Sequence, residues 1–413
     1  MDAELPTRVA DPAPSMLRGA ARQSTLRRAN LALVARTVCA SPVPMSRAAV
    51  AAATAMTRST VSRLADDLVA GGVLDELEPP TAAGPGRPAV PMVPGSRIVG
   101  LGLEANVGLL AARVYDLAGS LVAERVELAD LAGSDHVPVL ARLAELSAEV
   151  LAECPRGVRL AGAGLALPGI VTTEDGHLVI APNLGWTDLH PADYLNGAAI
   201  GGATLHVGND ANLSARAVAE PQPGRPGGPA DFVYVCGDTG IGGATVVHGR
   251  LVTGRHGWAG EIGHVCVDPD GPPCRCGAVG CLEQYAGERA MLVAAGLPLT
   301  ATAEDLDAAV RAGEPKAVAA IQAAARALGL AMSAVVNVLD IPDVVLGGHL
   351  AVLADHLRPG LCAELTHRVV TARWVAPTVH RAEVAVAPGA TGAAIVELAR
   401  VLADPSRWVD VDA

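Results

Sequence analysis

Aromatic residues are nearly absent from this chain: they make up 2% of its 413 positions, and Phe232 is the only phenylalanine. A core of that kind cannot be built from rings, so Ala, Val and Leu, which supply most of the 51% apolar content, must fill it by aliphatic packing. No uninterrupted apolar stretch reaches the roughly 18 residues of a bilayer-spanning helix, so no membrane partner is expected. The N-terminus is broken by Asp and Pro and lacks the basic-then-apolar order of an export signal. The expected location is therefore the cytoplasm. A length of 413 residues allows two or three domains, each able to bury its own core.

Acidic charge predominates, at −12 overall, but one segment opposes it. Between Arg18 and Ala70 stand Arg18, Arg22, Arg27, Arg28, Arg36, Arg47, Arg58 and Arg63, against Asp66 and Asp67 alone. That segment carries +6, which leaves −18 on the rest of the chain. A basic module on an acidic protein is the electrostatic footprint of contact with phosphates. A solvated helical surface has the same composition, so charge by itself does not decide between them.

From about Ser24 to Glu78 the pattern resolves into three helices. Leu31, Leu33, Val34 and Val38 support the first, which Ser41-Pro42 and Pro44 must end because proline cannot continue the hydrogen-bond ladder. Ser46 is placed to cap a second helix from Arg47 to about Ala53, with a turn at Thr54-Ala55-Met56. Thr57 is placed to cap a third, Arg58 to Ala70, which Gly71-Gly72 ends. Two helices joined by so short a turn, behind a third, predict a helix-turn-helix.

In the third helix Val61, Leu64 and Leu68 fall on one face, leaving Arg58, Ser59, Thr60, Ser62 and Arg63 to reach outward near its N-terminus. That is where a recognition helix meets base edges in the major groove, and arginine grips guanine at two points. Val73 to Glu78 and Ala89 to Val93 read as the strands of a wing around a Pro/Gly-rich loop. Arg87, between Gly86 and Pro88, is either a minor-groove contact or an exposed linker arginine.

Leu26-Arg27-Arg28-Ala29-Asn30, Met45-Ser46-Arg47-Ala48, Thr57 to Leu68 and Gly84-Pro85-Gly86-Arg87-Pro88 together resemble the DNA-binding part of the ROK family of repressors and sugar kinases. The later motifs extend the resemblance over nearly the whole chain and to the family's sugar-responsive regulators. It implies a double-stranded operator with an inverted repeat, contacted by Arg27, Arg28, Arg47 and the third helix, a carbohydrate or sugar-phosphate effector, and a homodimer or dimer of dimers.

Beyond Arg97 the pattern changes to strands: Ile98 to Leu103, Gly108 to Asp116 and Leu121 to Leu128, then a helix from Val137 to Ala152. The same order recurs from Asp231 to Cys236, Gly243 to His248 and Leu251-Val252, before a long insertion and further helices. Such a repeat predicts two similar lobes around a cleft, as in actin-like, ribonuclease H-like sugar kinases. The expected architecture is thus α/β, with a flexible segment 1–22, a winged helix-turn-helix and linker at 23–95, and a kinase-like effector domain at 96–413.

By the resemblance, Asn183, Asn209, Asp210, Glu261, His264 and Glu283 line a carbohydrate pocket, with Asp210 the base that deprotonates a sugar hydroxyl in the kinases. Each has a plainer alternative: Asp210 a helix cap, Asn183 a turn residue, Glu261 a surface charge. The cysteines speak more directly. His264 with Cys274, Cys276 and Cys281 has the form H-x9-C-x-C-x4-C, one imidazole and three thiolates suited to tetrahedral Zn2+. The alternatives are a disulfide, disfavoured in a reducing cytoplasm, and chance clustering. With no ligand position left for water, the zinc is expected to be structural.

Whether such a domain is an enzyme turns on its first glycine turn. The family's kinases carry Asp-x-Gly-Gly-Thr there, and this chain has Glu104-Ala105-Asn106-Val107-Gly108. The paired glycines are gone, and Val107 brings a branched side chain where phosphate must approach. Asp238-Thr239-Gly240-Ile241-Gly242-Gly243 and Leu346-Gly347-Gly348 survive. Phosphoryl transfer is almost entirely positioning and charge neutralisation, so half a phosphate cradle predicts a sensor rather than a catalyst. The alternative is an ATP-dependent carbohydrate kinase.

Overall fold

The N-terminal helices begin and end at their capping residues. In the computed structural model, which describes residues 23–78, 90–237, 240–383 and 386–409, α1 spans Gln23–Ala40 and stops before Ser41-Pro42. Ser46 Oγ accepts from Ala49 N at 3.2 Å at the start of α2 (Arg47–Thr54), and Ala55, left-handed at φ 56°, closes that helix. Thr57 Oγ1 likewise accepts from Thr60 N at 3.2 Å at the head of α3 (Arg58–Ala70). Val61, Leu64 and Leu68 are buried, as are Leu31, Val34 and Val38 of α1, whereas Leu33 on the same helix is exposed.

A three-stranded sheet completes the winged helix, with β3 (Pro91–Pro94) between β1 (Met45–Ser46) and β2 (Leu74–Glu76), both antiparallel to it. The two-residue β1 is too short to leave a periodic signal and was not expected. Segment 1–22 and the wing loop with Arg87 lie outside the described residues.

Two larger sheets follow. The first holds β4 (Ile98–Ala105), β5 (Leu109–Asp116), β6 (Leu121–Leu128) and, beyond α4 (His136–Glu153), β7 (Arg159–Leu167). A small insert of β8 (Ile170–Val171), β9 (Leu178–Ala181) and β10 (Trp186–Leu189) precedes β11 (Leu205–Asn209) and α5 (Asp210–Ala219). Strand order is β11-β7-β4-β5-β6, antiparallel on one side of β4 and parallel on the other. Every residue of β4 is buried, as a central strand covered on both faces requires.

The second sheet repeats this plan. It holds β12 (Phe232–Gly237), β13 (Ile241–Val247) and β14 (Arg250–Leu251), then a long excursion through α6 (Glu283–Ala286), α7 (Glu288–Ala295), α8 (Ala303–Arg311) and α9 (Pro315–Leu339). The chain returns as β15 (Asp343–Gly347), α10 (Gly348–Val352), α11 (Ala354–Arg368), β16 (Thr378–Arg381), α12 (Pro388–Ala403) and α13 (Ser406–Val409). Strand order is β14-β13-β12-β15-β16 with the same antiparallel and parallel halves. The internal repeat read from the sequence is therefore a repeat of topology. By length and composition α9 is apolar enough to cross a bilayer, yet Ala324, Leu328 and Met332 sit in the core of the second lobe.

Helix α12 binds these parts together. It packs so closely on the first sheet that a Cβ on Gly102 would come within 1.8 Å of Ala390 O. Its C-terminal residues Leu398, Val401 and Leu402 enter one hydrophobic core with Leu31, Val38 and Leu68 of the winged helix and Ile98 and Leu117 of the first lobe. Arg97 Nη2 donates to Val69 O at 2.6 Å, and the Arg159 guanidinium, which also bonds Gly71 O, lies 4.8 Å from the centre of the Trp408 ring. The winged helix is thus seated on the first lobe, and the run expected as the wing's second strand, Ala89 to Val93, overlaps β3.

Candidate functional site

A cavity of about 470 Å3 opens where β7, β11 and the β12–β13 turn end. Asn183, Asn209, Asp210, Glu261, His264 and Glu283 all line it. Asn209 ends β11 and caps α5: its Oδ1 accepts from Asn212 N at 3.0 Å, and its Nδ2 donates to Gly169 O at 3.0 Å. The cap is therefore Asn209, not Asp210. Asp210 opens α5, where the helix N-terminus favours its charge, and its Oδ1 accepts from Ala211 N at 2.7 Å.

The second lobe supplies the facing wall. Glu283 heads α6, and its Oε2 accepts from Ile241 N at 3.2 Å; a Cβ on Gly240 would lie 2.2 Å from that oxygen, so a larger residue there would displace the Glu283 carboxylate. Glu261 precedes a single 3-10 turn, Ile262–His264, and its Oε2 is 3.9 Å from His264 Nε2. Burial pushes the Glu261 carboxyl up; His264 opposes that rise and Glu283 adds to it. Arg275 and Cys236 also line the cavity and were not expected there. The available signal for Arg275 was its place between two candidate ligands, Cys274 and Cys276.

His264, Cys274, Cys276 and Cys281 converge, their ligand atoms all within 4.8 Å of one another. Cys274 Sγ is 3.8 Å from His264 Nδ1, and Cys276 Sγ is 3.7 Å from Cys281 Sγ. Metal–ligand distances of about 2.3 Å to sulfur and 2.0–2.1 Å to nitrogen put the corners of a tetrahedron roughly 3.5–3.8 Å apart. The group can hold a metal ion. One imidazole thus presents Nδ1 to the thiols and Nε2 to Glu261.

The turn between β4 and β5 is closed by its own side chains. Glu104, only 2% exposed, accepts from Asn106 Nδ2 at 3.0 Å and from Ala390 N, in the first turn of α12, at 2.8 Å. Asn106 Oδ1 accepts from Gly108 N and from Leu109 N, both at 2.9 Å. Two backbone donors of the turn are thus already satisfied, and Val107 lines the cavity beside them. In the second turn, Asp238 and Thr239 lie outside the described residues.

On the winged helix the arginines divide into two sets. Arg27 pairs with Asp67 at 3.0 Å, Arg28 stands 3.7 Å from Asp404, and Arg47 bridges Asp66, at 2.5 Å, and Glu76. Arg58 and Arg63 are exposed and have no acidic partner among the described residues. Thr57 Oγ1 lies 3.1 Å from Ser59 Oγ and 2.8 Å from Thr60 Oγ1, while Ser62 is half-buried.

A two-lobed fold of this topology around such a cavity defines a sugar-kinase-like protein fused to a winged helix. Residues 142–400 match the family model described as ROK, and the chain belongs to the ROK family. It is 29% identical over 360 residues to the "Putative xylose repressor" of Caldicellulosiruptor sp. (strain Rt8B.4), an alignment covering 83% of this chain and 87% of that one. Its fold is similar to that of a ROK family transcriptional regulator described as a homologue of the Escherichia coli MLC protein, with a TM-score of 0.75, 23% identity, and coverage of 93% and 99%. The ROK hexokinase of Thermus thermophilus matches with a TM-score of 0.58 and 31% identity, covering 72% of this chain and 97% of its own. An almost complete kinase is thereby accounted for while more than a quarter of this chain is left over.

Proposed function

We propose that this chain is a sequence-specific DNA-binding repressor of the ROK family whose cavity binds a carbohydrate or sugar-phosphate effector. One observation carries the reading: the exposed, unopposed Arg58 and Arg63 stand at the N-terminus of a helix that shares a single hydrophobic core with α12 of the sugar-binding part. In this reading Arg58, Ser59, Thr60, Ser62 and Arg63 face base edges, Arg27 and Arg28 face phosphates, and Arg87 is a minor-groove contact. Arg47, held between two carboxylates, serves the winged helix's own geometry. The protein acts in the cytoplasm as a dimer on an inverted repeat, two copies placing their recognition helices about one helical turn, roughly 34 Å, apart.

In the cavity, Asp210, Glu261, Glu283 and His264 Nε2 offer acceptors and donors for sugar hydroxyls from both lobes, so an occupant favours their approach. Asn183 lies with them, while Asn209, engaged at both ends, positions Asp210. His264, Cys274, Cys276 and Cys281 hold a structural Zn2+, which orders the loop that presents His264 and Arg275. A second reading, a carbohydrate kinase with Asp210 as base, is favoured by Asp210 at the head of α5. Against it, Asn106 occupies the donors that a phosphate would need.

The test is binding-site selection on random DNA, followed by titration of the selected site with and without D-xylose, D-glucose and D-glucose 6-phosphate. An inverted-repeat site whose affinity one of these changes supports the repressor. Sugar-dependent ADP release at kinase rates, with no selected site, would replace it by the kinase.

A further inference from the structure

Resting on that reading, we infer that His206, Glu397 and Arg400 form a polar joint through which occupancy of the cavity is transmitted along α12 to the winged helix. They are positioning residues, in contact with neither sugar nor DNA. Helix α12 reaches every part that such transmission needs. Its first turn bonds the 104–108 turn through Ala390 N and Glu104 Oε2. Its next turn lies against α5, the helix headed by Asp210, so closely that a Cβ on Gly392 would come within 1.7 Å of Leu213 O. Its last turns place Leu398, Val401 and Leu402 in the winged-helix core.

Apolar contacts have no direction, and by themselves would let a helix rotate or slide. The joint supplies direction. His206 lies on β11, the strand that ends at Asn209, and Glu397 adjoins Leu398 on α12. Arg400 Nη1 donates to His206 Nε2 at 2.7 Å, which assigns the ring proton to Nδ1. That Nδ1 is 3.0 Å from Glu397 Oε1, and Arg400 Nε is 3.6 Å from the same oxygen.

The carboxylate has nowhere else to go. Glu397 is 2% exposed, and a Cβ on Gly162 of β7 would lie 2.3 Å from its Oε2. Although His206 Nδ1 and Glu397 Oε1 are close, they are not aligned as a hydrogen bond, and neither atom has another hydrogen-bond partner among the described residues. A half-buried ring and a buried carboxyl left out of alignment stand to gain a hydrogen bond from a small shift. Burial, with Arg400 beside it, lowers the proton affinity of His206, in keeping with a neutral ring that accepts at Nε2. Drawing in the end of β11 around a sugar at Asp210 aligns the ring with Oε1, and Glu397 carries α12 and its winged-helix residues along.

The test uses the full chain, its selected operator, and D-xylose or D-glucose as the probe. Coupling is read as the ratio of operator affinities without and with saturating sugar, expected at about 5–150-fold for the wild type. In Arg400→Ala, which changes a largely exposed side chain, the ratio should fall to within about two-fold of one, with sugar affinity and sugar-free operator affinity retained. Arg400→Lys should recover most of the ratio, and Glu397→Gln should lower it. A purely structural role would shift stability and leave the ratio alone; a wild-type ratio in folded Arg400→Ala and Glu397→Gln overturns the joint. Sugar binding to the wild type without any change in operator affinity instead overturns the repressor reading on which the joint rests.

Discussion

Each lobe carries an appendage, and the two are held by different physics. The winged helix rests on the first lobe through a continuous core that includes Leu31, Leu68, Leu117 and Leu402. The loop from His264 to Cys281 on the second lobe has less of such a core: Cys276, Val279 and Arg275 are exposed, and the loop is held by turn hydrogen bonds, two isolated backbone bridges and the converging His/Cys group, with Val265 and Val267 alone packed against the lobe's core. Area-driven adhesion tolerates substitution and declines gradually as contacts are lost. Coordination is all-or-none, because each ligand removed leaves the others without a centre. In the proposed reading, the DNA-binding module stays in place on its core while the loop that presents His264 depends on a bound metal ion.

The sharpest way to break the comparison is at the metal. Cys274→Ser or Cys281→Ser, or chelation, should abolish metal content and sugar binding and expose the 261–283 backbone to hydrogen exchange, since structural zinc contributes roughly 10–16 kcal/mol of apparent folding energy. The exchange protection of α1 and α3 should not change; its loss would mean the appendages are one unit. Next, Leu402→Ala should cost about 2–5 kcal/mol of winged-helix stability in denaturant melts, with metal content intact.

Glu397 adds a pH dependence to the first lobe alone. Burial raises its carboxyl to about 7, Arg400 opposing the rise, so the folded state favours the protonated form. That contribution is fully present below the ordinary carboxylate range and is lost as pH rises through about 7. Glu397→Gln should therefore be more stable than the wild type at pH 8, by on the order of 1–3 kcal/mol, with the difference shrinking toward pH 5. An equal difference at both pH values would remove the buried ionisation from the account.

The smallest effects separate the two sets of arginines. Arg58→Ala should weaken operator binding by about 1–3 kcal/mol and relax preference at one position, with thermal stability unchanged. Arg47→Ala should cost about 0.2–1 kcal/mol of stability, as expected of a half-exposed ion pair, and leave base preference intact. If Arg47→Ala also relaxed base preference, its pairing with Asp66 and Glu76 would be a resting state that DNA displaces.

Much of this was legible in the sequence where the signal is local. Ser46, Thr57 and Gly71 mark helix ends because capping is settled within one turn of backbone. The His/Cys group that can hold a metal ion was legible because three of its four members lie within eight residues, and the recurring strand-strand-strand-helix succession because turns punctuate it along the chain. Other features depended on partners far away in sequence. That Arg47 is spent on Asp66 and Glu76, and that Glu104 caps α12 across 286 positions, follows from packing that no window along the chain contains. Asn106 reads as an ordinary turn residue until its Oδ1 is found on Gly108 N and Leu109 N.

Composition and periodicity thus determined the three N-terminal helices and where they stop, the recurring strand runs, and the spacing of the His/Cys group. The tertiary structure decided which arginines pair with carboxylates, how Glu104 and Asn106 close the β4–β5 turn, and that the last turns of α12 belong to the winged-helix core. The reason is physical: caps, turns and metal spacing are set by neighbours along the backbone, whereas ion pairing and core membership are set by burial, which only the folded chain defines.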